Sequence, residues 1–323
     1  MRFIKNRFKV VPPKYEVIGL DIAASTVKCV VLNNSEPFYT LEKYCIQTLP
    51  VIQESTGKTC SEIAAHIKSM LINGGIFSKK CIASLPNSLV ISKWIRIDNS
   101  ATENLEFAVN LAVEEHIPYP LDAICFDYQV FEIPDQDYLD VFLVACRKEY
   151  LDILLEIISQ ANLIPLFIEI NSHAIERAYM HLYSEYNNNK SFILLDVAKT
   201  QLTFMFSIES KKVHSYCEKI IDFTNKARLL EQIDSFIRTV YLSYPYFKFN
   251  NFFLLGSNFL ILQQLVEEFN VLYGFKMEIM KRSPVLIYSE NLDKKEIDEK
   301  FPGLVLSIGL ALRGFIPTSE NVV

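Results

Sequence analysis

Residues 18–32, IGLDIAASTVKCVVL, decide how this chain folds. Apolar and β-branched residues form two short arms around a turn of small residues, Ala23, Ala24 and Ser25. This composition is typical of a half-buried β-hairpin. Asp21 ends the first arm, where a carboxylate can hold a water molecule or a magnesium ion. The stretch therefore predicts a hairpin whose turn is too small to obstruct a group approaching the backbone.

The same pattern returns at residues 193–207, ILLDVAKTQLTFMFS. Placing Asp21 on Asp196 also aligns Ile18 with Ile193, Leu20 with Leu195 and Ala23 with Ala198. Any two buried hairpins look somewhat alike, but the matched aspartate and the matched alternation favour a true internal repeat. Each copy opens one half of the chain, which predicts two related domains facing each other across a cleft.

Composition narrows the class of protein. The chain has 323 residues, half of them hydrophobic, and a net charge of −6, which argues against nucleic acid as a partner. Its seven cysteines show no metal-ligand spacing and indicate a reducing, cytoplasmic compartment. No apolar run approaches the ~20 residues that a membrane-spanning helix needs.

The first 14 residues, MRFIKNRFKVVPPK, contain five basic residues, no acidic residue and no apolar signal-peptide core. One interpretation is a frayed N-terminal tail, since chain termini are often disordered. The other is a segment that lies on an anionic membrane surface through its basic and phenylalanine side chains, Arg2, Phe3, Lys5, Arg7, Phe8 and Lys9.

The order of helix and strand patterns divides the chain. Residues 15–98 and 164–188 are predicted to form a first domain, and residues 99–163 a small α+β domain inserted into it. Residues 190–316 are predicted to form a second domain, followed by a tail at 317–323. Near its end, a charged stretch at 293–300 precedes a predicted helix at 303–314.

Several motifs carry a family resemblance. They are the hairpin at 18–28, the segment EEHIPYPLD at 114–122, FDYQV at 126–130, LVACRKE at 143–149, and GLALRGF at 309–315. With this order of elements, the chain resembles the PilM family of cytoplasmic type IV pilus assembly proteins, relatives of FtsA in the actin-like ATPase superfamily. The resemblance covers roughly residues 15–315. It implies an α/β fold of duplicated, actin-like (ribonuclease H-like) type.

The resemblance also implies a scaffold peripheral to the inner membrane. Proteins of this family bind the cytoplasmic tail of PilN, a membrane protein, in a groove beside the inserted domain, and so connect it to the pilus motor ATPases; self-association is a further possibility. The candidate contact residues here are Trp94, Ile117, Tyr119, Phe126 and Tyr128. Such residues more often belong to a core, so their exposure would discriminate between the two roles.

ATP and Mg²⁺ are the cofactors that the superfamily suggests. The matching positions are Asp21, Ala23, Ala24, Ser25 and Lys28 in the first hairpin, Asp196 and Thr203 in the second, and Gly256 and Ser257 in the adenosine turn. Asp21 and Asp196 would hold the metal if ATP binds.

The same positions depart from the superfamily pattern. Alanine replaces the usual glycine at 23 and 198, and a single glycine remains in the adenosine turn. A Cβ obstructs the approach of backbone N–H groups to phosphate. Only one strand and one helix fit between residues 210 and 252, where the superfamily usually has a helical subdomain beside the nucleotide.

These departures predict weakened or absent nucleotide binding and a non-catalytic scaffold. The alternative is an actin-like ATP-binding switch or slow ATPase, which the retained Asp21, Lys28 and Asp196 favour. A sugar kinase is a poorer fit, because no catalytic aspartate on a sugar-binding loop stands out.

Overall fold

The computed structural model describes the chain in ten segments: residues 17–35, 38–49, 59–98, 104–132, 137–183, 191–208, 212–246, 249, 251–273 and 276–316. The predicted tails at 1–14 and 317–323 lie outside these residues. The chain divides into two units. Unit 1 comprises Met1–Val31, Tyr44–Asn171 and Leu310–Val323, and unit 2 comprises Leu32–Lys43 and Ser172–Gly309.

Unit 1 is built on β1 (Ile18–Ile22), which pairs antiparallel with β2 (Thr26–Ser35) and parallel with β4 (Lys80–Leu85). The next strand, β8 (Ile164–Ile170), is parallel to β4. Two crossover helices, α1 (Thr59–Asn73) and α3 (Lys148–Gln160), pack together against this sheet, and their apolar stripes join the strands in one core. Such crossovers are the usual way to connect parallel strands.

A three-stranded antiparallel sheet forms the inserted subdomain of unit 1. Its order is β5 (Val90–Asp98), β7 (Tyr138–Arg147), β6 (Ile124–Glu132). Helix α2 (Leu105–His116) covers one face through Val109 and Val113. The insert was predicted at 99–163, but β5 pairs with β7 along its whole length, and the apolar side chains of α3 join the main core. The subdomain therefore spans 90–147.

Unit 2 has a five-stranded sheet in the order β11 (Lys212–Lys219), β10 (Gln201–Ile208), β9 (Phe192–Val197), β12 (Asn251–Leu255), β13 (Glu278–Ile279). Two amphipathic helices, α5 (Lys226–Ser243) and α6 (Phe259–Leu272), pack against it. A short strand, β14 (Leu286–Tyr288), runs parallel to β3 (Phe38–Thr48). Between β10 and β12 the described residues contain one strand and one helix, β11 and α5.

Helix α4 (Asn171–Leu182) lies with unit 2, although residues 164–188 were predicted to belong to the first domain. The Tyr179 ring packs against Phe192 and Phe253, and its hydroxyl accepts a hydrogen bond from the Asn251 amide at 3.1 Å. These contacts explain why the helix joins the second unit.

The last helix, α7 (Lys294–Leu312), is longer than predicted, since it includes the charged stretch and contains Pro302. None of the described helices is long and apolar enough to cross a membrane.

The two hairpins have the same internal geometry, as the sequence repeat predicts. Asp21 lies opposite Lys28 in the first, and Asp196 lies opposite Thr203 in the second. A third strand runs parallel to the first arm in each case, β4 in unit 1 and β12 in unit 2. Asp21 and Asp196 therefore occupy equivalent positions in equivalent strands of the two units, which supports a duplicated fold.

Candidate functional site

The first hairpin places a charge pair at its end. Asp21 and Lys28 face each other across the two strands, and the Lys28 ammonium donates to the Asp21 carboxylate with an Nζ–Oδ2 distance of 3.1 Å. Both residues are buried, at 4% and 8% exposure. The carboxylate expected to hold a metal is therefore already neutralised by a cation of this chain.

The turn of this hairpin closes without glycine. Ala23 N–H donates to the Thr26 carbonyl at 2.9 Å, and the Ser25 carbonyl accepts a hydrogen bond from Leu49 N–H at 2.8 Å. Among the described residues, Asn162 is the non-glycine residue with positive φ, so Ala23 and Ala24 have ordinary backbone conformations. Alanine thus fits this turn without backbone strain. Its Cβ lies where the superfamily pattern has glycine, which has no Cβ.

The second hairpin is arranged differently around its aspartate. Asp196 is half-buried, and Thr203 opposite it is buried and donates from Oγ1 to Cys217 Sγ at 3.9 Å. Burial is the main cause that raises the pKa of the Cys217 thiol; the Thr203 hydrogen bond opposes this rise, and the nearby Asp196 charge adds a smaller contribution to it. The turn again closes through alanine, with Ala198 N–H donating to the Gln201 carbonyl at 3.0 Å.

Helix α7 of unit 2 packs on the turn at Gly256 and Ser257, which was expected to contact adenosine. Gly256 has φ +142°, and a Cβ there would lie 2.6 Å from the Val197 carbonyl oxygen. Its N–H donates to the Pro302 carbonyl of α7 at 3.1 Å. A Cβ at Gly303 would lie 3.0 Å from Ser257 Cα, so α7 packs closely on this turn. The single retained glycine thus serves the packing of a helix.

The residues expected to bind ATP and Mg²⁺ fit those cofactors poorly. The Asp21 carboxylate has an internal ammonium partner, and the Gly256 N–H has an internal acceptor. In the part of the chain that the structure describes, no cluster of three His, Cys, Asp or Glu residues is placed to hold a metal ion.

The predicted partner residues are divided between the two faces of the inserted sheet. Trp94 lies on one face, against Phe131 and Phe142, with ring centroids 5.0 and 4.9 Å away. Phe126 and Tyr128 are half-buried on the other face, in the core beneath α2. Alternation along β5 and β6 produces this separation, so the predicted set does not form one surface.

Ile117 and Tyr119 are brought together in a small pocket of unit 1, about 110 Å³ in volume. Its lining comes from residues 88–91, 117–124 and 145–150, where the inserted subdomain meets the main sheet. Ile117 is buried at 4% exposure, whereas Tyr119 is 42% exposed at the rim. The segment that ends α2 therefore forms part of the pocket wall.

Arg147 and Tyr150 also line this pocket, and neither was predicted as a contact residue. The Arg147 guanidinium carbon lies 5.8 Å from the Tyr119 ring centroid and 5.4 Å from that of Tyr150, within cation–π range. Arg147 also pairs with Glu149 at 2.9 Å. The motif LVACRKE contains Arg147 at the junction of β7 and α3, but the sequence does not show which rings it contacts.

The pocket offers an apolar wall and one cationic group. Leu89, Val90, Ile91, Ile124 and Ala145 provide the apolar surface beside Ile117. Arg147 presents N–H donors at the rim between two aromatic rings. This combination suits an extended peptide that inserts an apolar side chain and presents carbonyl or carboxylate oxygens to the arginine.

Solved structures of other proteins share this fold. The structure matches a chain of the "PilM-PilN type IV pilus biogenesis complex" with a TM-score of 0.81 at 19% sequence identity, over 94% of this chain and 100% of that chain. It matches the ethanolamine utilization protein EutJ from Carboxydothermus hydrogenoformans with a TM-score of 0.52 at 12% identity, over 93% of this chain and 90% of that chain. The predicted actin-like fold class is thereby confirmed.

A family model described as type IV pilus assembly protein PilM matches residues 19–219, more than half of the sequence. The chain therefore belongs to the PilM family of type IV pilus assembly proteins.

Proposed function

We propose that this protein is a cytoplasmic scaffold of the type IV pilus assembly complex and that it binds the cytoplasmic tail of a PilN-like membrane protein in the pocket beside Tyr119. The observation that carries the proposal is the pocket in which Arg147 lies beside the rings of Tyr119 and Tyr150, with apolar side chains in the wall. A solved structure of the same fold comes from a complex named for PilM and PilN, which supports this choice of partner.

The pocket would fix the tail in two ways. An apolar side chain of the tail leaves water against Ile117 and its neighbours, which contributes about 1.5–3 kcal/mol for a leucine-sized group. Arg147 donates hydrogen bonds to oxygens of the tail, and Tyr119 and Tyr150 hold the guanidinium in place. The tail is expected to bind in an extended form.

Binding of a synthetic peptide tests the proposal. The probe is a fluorescent peptide with the sequence of the cytoplasmic tail of the PilN-like protein from the same organism, titrated with the full chain and followed by anisotropy. Replacing Arg147 by alanine or Tyr119 by serine is expected to weaken binding about tenfold each, because each removes one anchor. Saturable binding that is unchanged in both variants would move the partner site away from this pocket.

Matched controls use exposed residues of unit 2. Tyr246 is 97% exposed, and Arg228 is exposed on α5; neither lines the pocket. The Tyr246→Ser and Arg228→Ala variants are expected to bind the peptide as the unmodified chain does. A loss of affinity in either control would indicate a nonspecific effect of removing exposed side chains.

The scaffold is proposed to work without turning over ATP. The internal partners of Asp21 and Gly256 support this, since both groups would have to be released to a nucleotide. Calorimetric titration with Mg·ATP is expected to give no heat of binding at micromolar concentrations. Micromolar binding would favour the alternative, an actin-like switch or slow ATPase, and would make Asp21 and Asp196 the next positions to replace.

The location and the wider partners belong to the same proposal. A protein that holds the tail of a membrane protein is peripheral to the inner membrane, and in this proposal it links that protein to the pilus motor ATPases. Self-association is compatible with this role. Co-purification with the PilN-like protein from membranes, and its loss in the Arg147→Ala variant, is the cellular counterpart of the peptide titration.

A further inference from the structure

Helix α1 ends in a loop that holds an exposed phenylalanine in a fixed position. Ile76 N–H donates to the Leu71 carbonyl at 2.8 Å, and Gly75 N–H donates to the Ile72 carbonyl at 3.0 Å. With Gly75 at φ +62°, these bonds form a Schellman motif. Ile76 is buried at 3% exposure, and Phe77, the next residue, is 80% exposed.

Helix α3 ends in the same way. Leu163 N–H donates to the Ile158 carbonyl at 3.0 Å, and Asn162 N–H donates to the Ser159 carbonyl at 2.9 Å. Asn162 takes the left-handed conformation, with φ +60°. Leu163 is buried, and Ile164 after it is 57% exposed. Two loops with ordered backbones thus each present an apolar side chain directly after a buried one.

These loops lie at the same end of unit 1. Strands β4 and β8 are parallel, with Lys80 beside Ile164, so the segments that lead into them are neighbours. Ile72, at the end of α1, is 69% exposed, and Lys79 and Lys80 are exposed between the apolar residues. We call this surface the basal face: Ile72, Phe77, Lys79, Lys80 and Ile164.

Strand β1 begins at this same end of unit 1, because it is parallel to β4 with Ile18 beside Cys81. The sequence that precedes β1, residues 1–16, contains five basic residues, two phenylalanines and a single acidic residue, Glu16. The loop residues 72–80 and 161–164 contain no acidic residue. The loops and the preceding sequence are therefore basic, on a chain whose net charge is −6.

We propose that the basal face lies on the surface of an anionic lipid bilayer. Aromatic and aliphatic side chains enter the interfacial region of a membrane, and neighbouring lysines are attracted to acidic headgroups. A second copy of the chain is a poorer occupant, because a two-fold contact would bring two copies of the same lysine-bearing patch together. The inference rests on the proposed function only in placing the protein at a membrane.

Vesicle co-sedimentation of the full chain, with no PilN-like partner present, tests this inference. The probes are vesicles of phosphatidylcholine alone and vesicles of phosphatidylcholine mixed with phosphatidylglycerol. The protein is expected to bind the mixed vesicles, to bind the neutral ones weakly, and to be released as salt concentration rises. Equal binding to both kinds of vesicle, or none to either, would overturn the inference.

Variants of the basal face separate it from the N-terminal segment. The double change Lys79→Glu and Lys80→Glu, or the single change Phe77→Ser, is expected to lower the partition coefficient by about tenfold. The first control is Lys294→Glu with Lys295→Glu, the same charge change at adjacent exposed lysines of α7. The second is Phe107→Ser, at a 65% exposed phenylalanine of α2. Both controls are expected to partition like the unmodified chain.

Two results would contradict the role of the basal face. One is vesicle binding that is unchanged in the basal-face variants, which would show that residues outside the face bind the vesicles. The other is a change in self-association by analytical ultracentrifugation with no vesicle binding, which would make the face an interface between copies. Peptide affinity measured on the same variants should be unchanged. A chain that binds the peptide but not vesicles refutes this inference alone, and the reverse result refutes the proposed function alone.

Discussion

At the scale of single residues, the ion pair of Asp21 and Lys28 compensates a buried carboxylate within the first hairpin. A buried carboxylate is costly unless a cation or hydrogen-bond donors compensate it. Here the compensation comes from the opposite strand at 3.1 Å, so the hairpin needs no metal to be stable.

Removing the lysine alone should therefore expose the cost of the buried charge. Lys28→Met is expected to lower the free energy of unfolding by about 3 kcal/mol, because Asp21 stays buried without its partner. The double variant Asp21→Leu with Lys28→Met should lose less, about 1 kcal/mol or under. Urea unfolding of the three proteins provides the comparison. Equal losses in the single and double variants would show that the pair is not coupled.

Glu176 on α4 gives the protein a pH-dependent stability. Burial raises the pKa of its carboxyl to about 7 from an ordinary value of 4.5, and the neighbouring Arg177 opposes the shift. Between these two values the folded chain keeps a proton that the unfolded chain has released. Folding stability contributed by this group is therefore present at low pH and is lost as pH rises through this window.

The expected result is a free energy of unfolding that decreases as pH increases from about 4.5 to about 7. The Glu176→Gln variant cannot ionise and should lack this contribution. Glu267→Gln, at an exposed glutamate of α6, is the matched control and should keep the slope of the unmodified chain. Denaturant unfolding at several pH values measures how the free energy of unfolding changes with pH. An identical slope in all three proteins would rule out Glu176 as the cause.

At this scale the sequence predicted the hairpin aspartates but not their partners. A cross-strand contact depends on register, and the register of the hairpin fixes Lys28 opposite Asp21. The five predicted partner residues were chosen by residue type and by family likeness, without knowing which face of the sheet each occupies. Tyr119 and Ile117 lie in the pocket, whereas Trp94 lies on the other face of the inserted sheet from Phe126. Arg147 was missed because an arginine at a strand–helix junction gives no sign of which rings it will contact.

Among the elements, α7 shows where local sequence signals mislead. The sequence predicted a charged stretch at 293–300 followed by a helix that begins at 303, but the helix begins at Lys294. Ile297 and Phe301, four residues apart, are both fully buried and continue the apolar stripe through the charged stretch. The Pro302 carbonyl accepts a hydrogen bond from Gly256 N–H. Tertiary packing here outweighs the usual cost of proline inside a helix.

The helix ends of unit 1 allow a prediction about their left-handed residues. Asn162 has φ +60°, a conformation that glycine adopts freely and that costs an alanine about 1 kcal/mol. Asn162→Ala is expected to lower the free energy of unfolding by about this amount, and Asn162→Gly to change it little. Chemical denaturation measures both. An alanine variant as stable as the glycine variant would show that the α3 terminus does not require this conformation.

For the whole molecule, the repeat of two hairpins was legible because aspartate and apolar alternation recur together. The boundaries of the domains could not be predicted in the same way, because they depend on the surface against which each helix or strand is buried. Strand β5 follows β4 directly in sequence yet pairs with β7, and α3 follows the inserted sheet yet packs against α1. Order along the chain therefore predicted the class of fold, and packing decided which elements belong to each unit.

The proposed scaffold role depends on where the tail of the PilN-like protein binds. The measurement that tests this most directly is hydrogen–deuterium exchange of the full chain with and without the synthetic tail peptide. Protection is expected at residues 88–91, 117–124 and 145–150, which form the pocket, and it should disappear in the Arg147→Ala variant. Protection confined to unit 2, or protection that persists unchanged in that variant, would contradict the assignment of the partner site.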